Sequence, residues 1–288
     1  MSEIVLVQGL LLTGVYATLA LGFALVFSIG RILNLAHTAF YMLAAYGVFY
    51  VTDRGGSLFL AAAASILMVV AVGVFVYRVF IEPIREHETA VLLITIAIGL
   101  VIQETLLLLL GGSFRSVPGM VSGYTTVIGV RAGNQELLSL GILAVVLAAL
   151  GAFLYRTRMG LAIRVAAQDR EIANLMGIDA RAVATIAFGI SLFLAALAGI
   201  AAAPLFTLQP SMWMHPLVVV LAAVVLGGLG SLKGSLLGAA ILAFAEVLVV
   251  FYVPGGSFLR TAVALAVMVV ILLVRPEGLF GLRQPEER

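Results

Sequence analysis

Cysteine is absent from this 288-residue chain, lysine occurs once, at Lys233, and charged residues make up only 10% of the sequence. Without cysteine there is no disulfide scaffold, no iron–sulfur ligation and no thiol nucleophile, and the redox compartment is left open. The shortage of charge excludes more. A soluble domain carries about 25% charged and about 45–50% apolar residues, whereas here 63% are hydrophobic. A cytosolic globular protein and a disordered segment are excluded, as is a nucleic-acid binder, which needs clustered cations to neutralise phosphates. The solvent for most of this chain is lipid. The three histidines (His37, His87 and His215) share no ligand spacing, so no metal site is expected.

A helix needs about 20 mostly apolar residues to cross a bilayer. Apolar runs between polar breaks lie near 8–28, 37–51, 58–80, 91–110, 137–154, 184–203, 217–230, 236–253 and 258–274. The runs 37–51 and 217–230 are short and read as broken or re-entrant helices. The expected fold is therefore an all-α, polytopic membrane protein with eight or nine spans, forming one domain over 1–288. The first run lacks a basic leader and is not expected to be a cleavable signal.

Arginine sets the orientation. The stretch 155–181 holds Arg156, Arg158, Arg164, Arg170 and Arg181 and is expected in the cytoplasm. Alternation puts 78–90 and the tail (Arg275, Arg283, Arg288) on the same side, with 52–57, 111–136, 204–216 and 254–257 facing outward. Nine crossings place the N-terminus outside; eight place it inside.

Within the Arg-rich loop, taken as 155–183, residues 161–176 read as one amphipathic helix, with Leu161, Val165, Ile172, Leu175 and Met176 on one arc. Gly177 supplies a stop and Asp179 a cap for the next helix. Two readings fit: a helix resting on headgroups, or a docking helix for a cytoplasmic partner, oriented by Arg164, Asp169, Arg170 and Glu171.

Polar groups inside membrane runs are costly and mark candidate sites. Gln103 and Glu104 interrupt one run, and Glu246 another. Either carboxylate could be a hydrogen-bonded packing group or could face a water-filled path. Asn34 and His37 cap the short second helix or line a cavity at a discontinuous helix. His215 reads as an ordinary loop residue. Gly230, Gly234 and Gly238 recur every four residues, for close helix packing within the chain or across a subunit interface. Lys233 stands in a glycine-rich stretch without phosphate-loop spacing, so no nucleotide site, no cofactor and no enzymatic activity are expected.

The runs RILNLAHTAFYMLAAY, ITIAIGLVIQETLLLLLGGSFRSVP, RMGLAIRVAAQDREIANLMGI, VVLGGLGSLKGSLLGAAIL and RPEGLFG, in this order across about residues 8–282, resemble the permease family of branched-chain amino-acid ABC importers, specifically the LivH-type subunit. Asn34, Ala36 and His37 match the family's Asn-Phe-Ala-His-Gly run and Gln103 a recurrent glutamine. Thr38 departs from the usual glycine, and Leu232-Lys233 from a common Ile-Pro. The resemblance implies a bacterial or archaeal inner-membrane permease that works with a second, LivM-type permease, two cytoplasmic ATPases that bind the ATP, and an extracytoplasmic solute-binding protein. It also implies that Arg164, Gln168, Asp169, Arg170, Glu171, Met176 and Gly177 contact the ATPase. A urea or short-amide permease of the same family and an ion-coupled carrier using Glu104 or Glu246 are the alternative functions.

Overall fold

The computed structural model describes residues 2–127 and 130–280. Eleven α-helices carry the fold: α1 (Ser2–Gly30), α2 (His37–Asp53), α3 (Leu58–Val76), α4 (Glu88–Leu110), α5 (Asn134–Arg156), α6 (Arg158–Gln168), α7 (Arg170–Leu175), α8 (Ala180–Ala202), α9 (Met214–Gly227), α10 (Leu232–Tyr252) and α11 (Arg260–Val274). A short antiparallel hairpin, β1 (Tyr124–Val127) against β2 (Val130–Gly133), is an addition to the all-α expectation. Among the described residues, seven helical stretches are long and apolar enough to span a bilayer. The two short runs of the sequence become α2, with 17 residues, and α9, with 14. Arg283 and Arg288 lie outside the described residues.

Both short helices follow from how backbone polar groups are satisfied where water is scarce. Irregular backbone at membrane depth survives only when protein surrounds it. Between α1 and α2, the amide of Leu35 donates to Thr95 Oγ1 of α4 at 3.3 Å, and that of Ala36 to Asn34 Oδ1 at 3.2 Å. α2 therefore begins in mid-bundle, with His37 level with Leu19 of α1. At the far end of α9 the last carbonyls have no helical partner; the amides of Leu279 and Phe280 donate to the carbonyls of Leu226 and Gly227 at 2.8 and 3.0 Å. The segment Gly278-Leu279-Phe280, beyond α11, thus closes α9.

The ends of α1 fix the sidedness of the chain relative to itself. Gln8 near its start donates to Glu136 at the start of α5 (2.9 Å), whereas Ser28 near its end lies beside Gly230. The N-terminus is therefore at the opposite end of the bundle from the Arg-rich loop. That placement is the one the nine-crossing alternative requires, although seven stretches are of membrane length among the described residues and α2 starts in mid-bundle.

α1 is the central helix, 83% of its membrane-length window being buried, and α10 and α8, then α5 and α9, pack around it. α4 and α5 are 22% buried and the last span, Gly256–Val274, only 6%. α3 runs on through a π-turn at Tyr77–Ile81 and a short 3-10 turn at Glu82–Ile84. Pro83 lacks the N–H that a continuing helix needs, so the ladder is disrupted there.

Candidate functional site

The polar residues of the membrane interior form three separate groups. His37, fully buried at the start of α2, bridges α1 and α8: Nε2 lies 3.0 Å from the carbonyl of Leu19 and Nδ1 3.2 Å from Ser191 Oγ. A carbonyl only accepts, so in the neutral ring Nε2 carries the proton and Nδ1 accepts from the Ser191 hydroxyl. Phe23 meets the ring edge-on. Asn34 holds the preceding turn through its side-chain oxygen. Both residues act here as locks on the entry to α2.

Glu246, on α10, is 1% exposed and is met by three helices. Tyr16 of α1 donates its hydroxyl to Oε2 at 2.8 Å, Arg260 Nε at the start of α11 lies 3.1 Å from Oε1, and His215 Nε2 of α9 lies 3.3 Å from the same oxygen. His215 Nδ1 is 3.0 Å from Thr261 Oγ1. The expectation that His215 is an ordinary loop residue is wrong: it is in the first turn of α9, where Glu246 and Thr261 orient both ring nitrogens. Sequence reasoning also missed Tyr16 and Arg260. The signal for Arg260 was its spacing, since Glu246 and Arg260 stand symmetrically about Val253 and so reach equal depth in the hairpin of α10 and α11.

Gln103 accepts from Trp213 Nε1 at 2.8 Å and donates to Glu104 Oε1 at 3.2 Å. Glu104 is exposed on the outer face of α4, beside Val101 and Leu108. It packs against no other helix of this chain as a buried group, unlike Glu246. Behind this face, an apolar cleft of about 1040 Å³ opens between α2, α3 and α4, with the Tyr46 and Ser65 hydroxyls buried at its wall and without hydrogen-bond partners.

The glycines of α10 serve close packing inside the chain. A Cβ on Gly234 or Gly238 would collide with the carbonyls of Gly227 and Ala223 on α9. Gly230 is not on this face: it lies in the turn before α10, with φ +87°. There it serves the turn rather than the helix contact.

At the Arg-rich end, the single helix expected over 161–176 is two. Asp169 adopts an extended backbone (φ −152°) and its carboxylate accepts from the amides of Glu171 and Ile172 at 2.8 and 3.0 Å, so it ends α6 and caps α7. Between the end of α5 at Arg156 and the start of α8 at Ala180, each corner is tied by a side chain. Thr157 caps α6 through the amide of Gly160 (3.0 Å), Asn174 accepts from the amide of Ala180 (3.1 Å), and Asp179 caps α8 through Arg181 and Ala182 (2.9 and 3.0 Å). Gly177, at φ +80°, makes the turn between α7 and α8.

Ile163, Ala166 and Ala173 anchor the two helices on the bundle, while Leu161, Ile172, Leu175 and Met176 are exposed, Leu175 by 87%. Gln168 and Glu171 are exposed beside them, and Arg164 lies against Tyr155, 5.0 Å from its ring centre. Arg170 is half-buried. Loss of water, and then the nearby Arg85 and Arg181 charges, hold its guanidinium below the usual arginine range.

A family model described as the branched-chain amino acid transport system permease component matches residues 5–274. The BraD permease protein of the high-affinity branched-chain amino acid transport system of Pseudomonas aeruginosa is 29% identical over 98% of this chain and 96% of its own length. LivH of Escherichia coli K12 is 28% identical over 97% and 96%, and a probable LivH of Methanocaldococcus jannaschii 25% over 97% and 92%. Among solved structures, PsaBC from Streptococcus pneumoniae superposes with a TM-score of 0.52 over 94% of this chain and 92% of that one. An inward-facing metal-chelate type ABC transporter gives 0.53 over 93% and 85%. Both are 16% identical, so they speak for the fold alone. With membrane helices packed around a buried α1 and a family match over residues 5–274, this chain belongs to the permease family of branched-chain amino-acid transport systems.

Proposed function

We propose that the chain is the membrane half of an ATP-driven importer of branched-chain or other hydrophobic amino acids. It would pair with a second, LivM-type permease, receive substrate from an extracytoplasmic binding protein and draw on ATP hydrolysed by two cytoplasmic ATPases. The Arg-rich end is taken as cytoplasmic. The observation that carries this reading is the exposed apolar strip Leu161, Ile172, Leu175 and Met176, presented on a corner that four side-chain caps hold rigid. A floating interfacial helix needs no such corner, whereas a lever does.

The substrate path is assigned to the outer face of α4, between this chain and the second permease. A carboxylate facing acyl chains costs about 2.5–3.5 kcal/mol on insertion scales, so the exposed Glu104 favours a wet, protein-covered face. Gln103, held by Trp213, stands beside it. An ion-coupled carrier finds less support at Glu246, whose oxygens already have Tyr16, Arg260 and His215 as partners.

The test is Leu175→Asp in the transporter reconstituted with its own ATPases and binding protein. The variant is expected to insert normally and to lose ATPase association and uptake by about tenfold or more, as for loss of a central apolar anchor. Unchanged uptake would overturn the docking role, and uptake driven by an ion gradient without ATPase would replace the importer with a carrier.

A further inference from the structure

Beside the coupling corner, the foot of α3 and the start of α8 enclose a cleft of about 640 Å³. Its charged lining is Arg78, Glu82, Arg85 and Glu86 from the turn after α3, with Asp179 and Arg181 from α8. Arg170, at the start of α7, is close enough to feel the charges of Arg85 and Arg181. The carboxylates are unequal. Asp179 is committed to capping α8, and Glu82 lies 3.6 Å from Arg181, the one ion pair in the cleft among the described residues. Arg85 Nη1 is shut off from water and has no hydrogen-bond partner. A buried donor without an acceptor costs about 1–3 kcal/mol, more when charged, so the site as it stands is incomplete.

We propose that this cleft is a second docking site, which takes an acidic side chain from a segment of the cytoplasmic ATPase and places its carboxylate against Arg85. The inference rests on the importer reading. Three observations select the occupant. Arg85 Nη1 finds no acceptor among Glu82, Glu86 and Asp179, so the unmet demand is for an anionic acceptor. The exposed Glu86 disfavours a bare phosphate or a lipid headgroup, which would approach it like-charged, whereas a polypeptide can offer a donor to Glu86 as well. Asp179 lines the cleft three residues after Met176, so the cleft adjoins the corner that carries the exposed Ile172, Leu175 and Met176. An acid seated there would tie the ATPase to α3 and α8 together, and the π-turn at Tyr77–Ile81 breaks the regular helical ladder where α3 reaches the cleft.

The experiment uses the complete transporter, purified with its own ATPases and placed in phosphatidylglycerol vesicles. A photo-crosslinking benzoylphenylalanine replaces the exposed Ala182 in one sample and Leu175 in another. Adducts to the ATPase from both positions are expected, and Arg85→Gln is expected to weaken ATPase association about tenfold at 0.15 M salt, with a smaller deficit at 1 M. An ATPase adduct from position 175 with none from 182 overturns the second site and leaves the importer reading standing. Phospholipid adducts alone at 182 overturn it in favour of a headgroup. No ATPase adduct at either position overturns both. Should Arg85→Gln fail to insert, the adducts at 182 decide.

Discussion

Removing Arg260 should cost more than removing the carboxylate it faces. Glu246 is 1% exposed, about 9 Å along α10 from its end at Tyr252 at 1.5 Å per residue, and Arg260 is its one arginine or lysine partner among the described residues. Breaking a buried pair from one side leaves the other charge uncompensated, at about 3–5 kcal/mol. The Arg260 side chain is 40% exposed, so part of that interaction is already screened, and about 2–3 kcal/mol is the expectation for Arg260→Ala. Glu246→Gln differs in kind. The amide oxygen still accepts from Tyr16, and the half-exposed guanidinium can turn to water along its own stem, so about 1 kcal/mol is expected. The double variant should resemble Glu246→Gln alone, giving a coupling energy of at least about 1.5 kcal/mol. The assay is a double-mutant cycle on equilibrium unfolding in detergent micelles, with His215 unchanged throughout. Glu246→Gln proving as costly as Arg260→Ala, or a coupling near zero, would refute the reasoning that the pair holds α10 to α11 through charge.

Gly238→Ala is expected to push α9 and α10 apart, because the new methyl has backbone rather than a flexible side chain in its way; a loss of about 2 kcal/mol or more should show in the same unfolding assay. Ser191→Ala leaves His37 Nδ1 buried without its donor, and about 1–3 kcal/mol should be lost, whereas Ser191→Thr should retain most of it. Asp169→Ala removes the cap of α7 at about 1 kcal/mol, too little to unfold the protein, and is expected to lower uptake per ATP hydrolysed; Asp169→Asn, which still caps, should restore the ratio.

The spans were legible because a 20-residue apolar run has few alternatives in lipid, and even the shortness of α2 and α9 showed in run length. Arginine placement likewise marked the loop that carries α6 and α7. Detail failed where one residue type has two uses. Asp169 fits an amphipathic wheel as a surface charge, and only its local backbone shows it to be a helix cap. Gly230 keeps the spacing of Gly234 and Gly238 yet serves a turn, because spacing counts residues and not where a helix starts. His215 was overlooked because its partners, Tyr16, Glu246 and Thr261, come from three distant stretches. Glu104 and Glu246 look alike in sequence, each a lone carboxylate in an apolar run, and only packing separates the exposed one from the buried one.

That separation bears on how a push at the corner could reach the path. Asn174 of α7 accepts from the amide of Ala180 at the start of α8, so a displacement of α7 is delivered to α8 rather than absorbed in the turn. Ser191 lies halfway along α8 and holds His37, so α2 is obliged to follow α8. α2 in turn forms the floor of the apolar cleft, where the Tyr46 and Ser65 hydroxyls have no partners and little holds α3 to α4. The well-tied elements, α1, α2, α8 and α10, would then move as one body, and α4, with Gln103 and Glu104 on its outer face, is the element against which they move. Loosening the His37–Ser191 link should therefore reduce transport without weakening ATPase docking, a separation that a merely structural role for His37 does not predict.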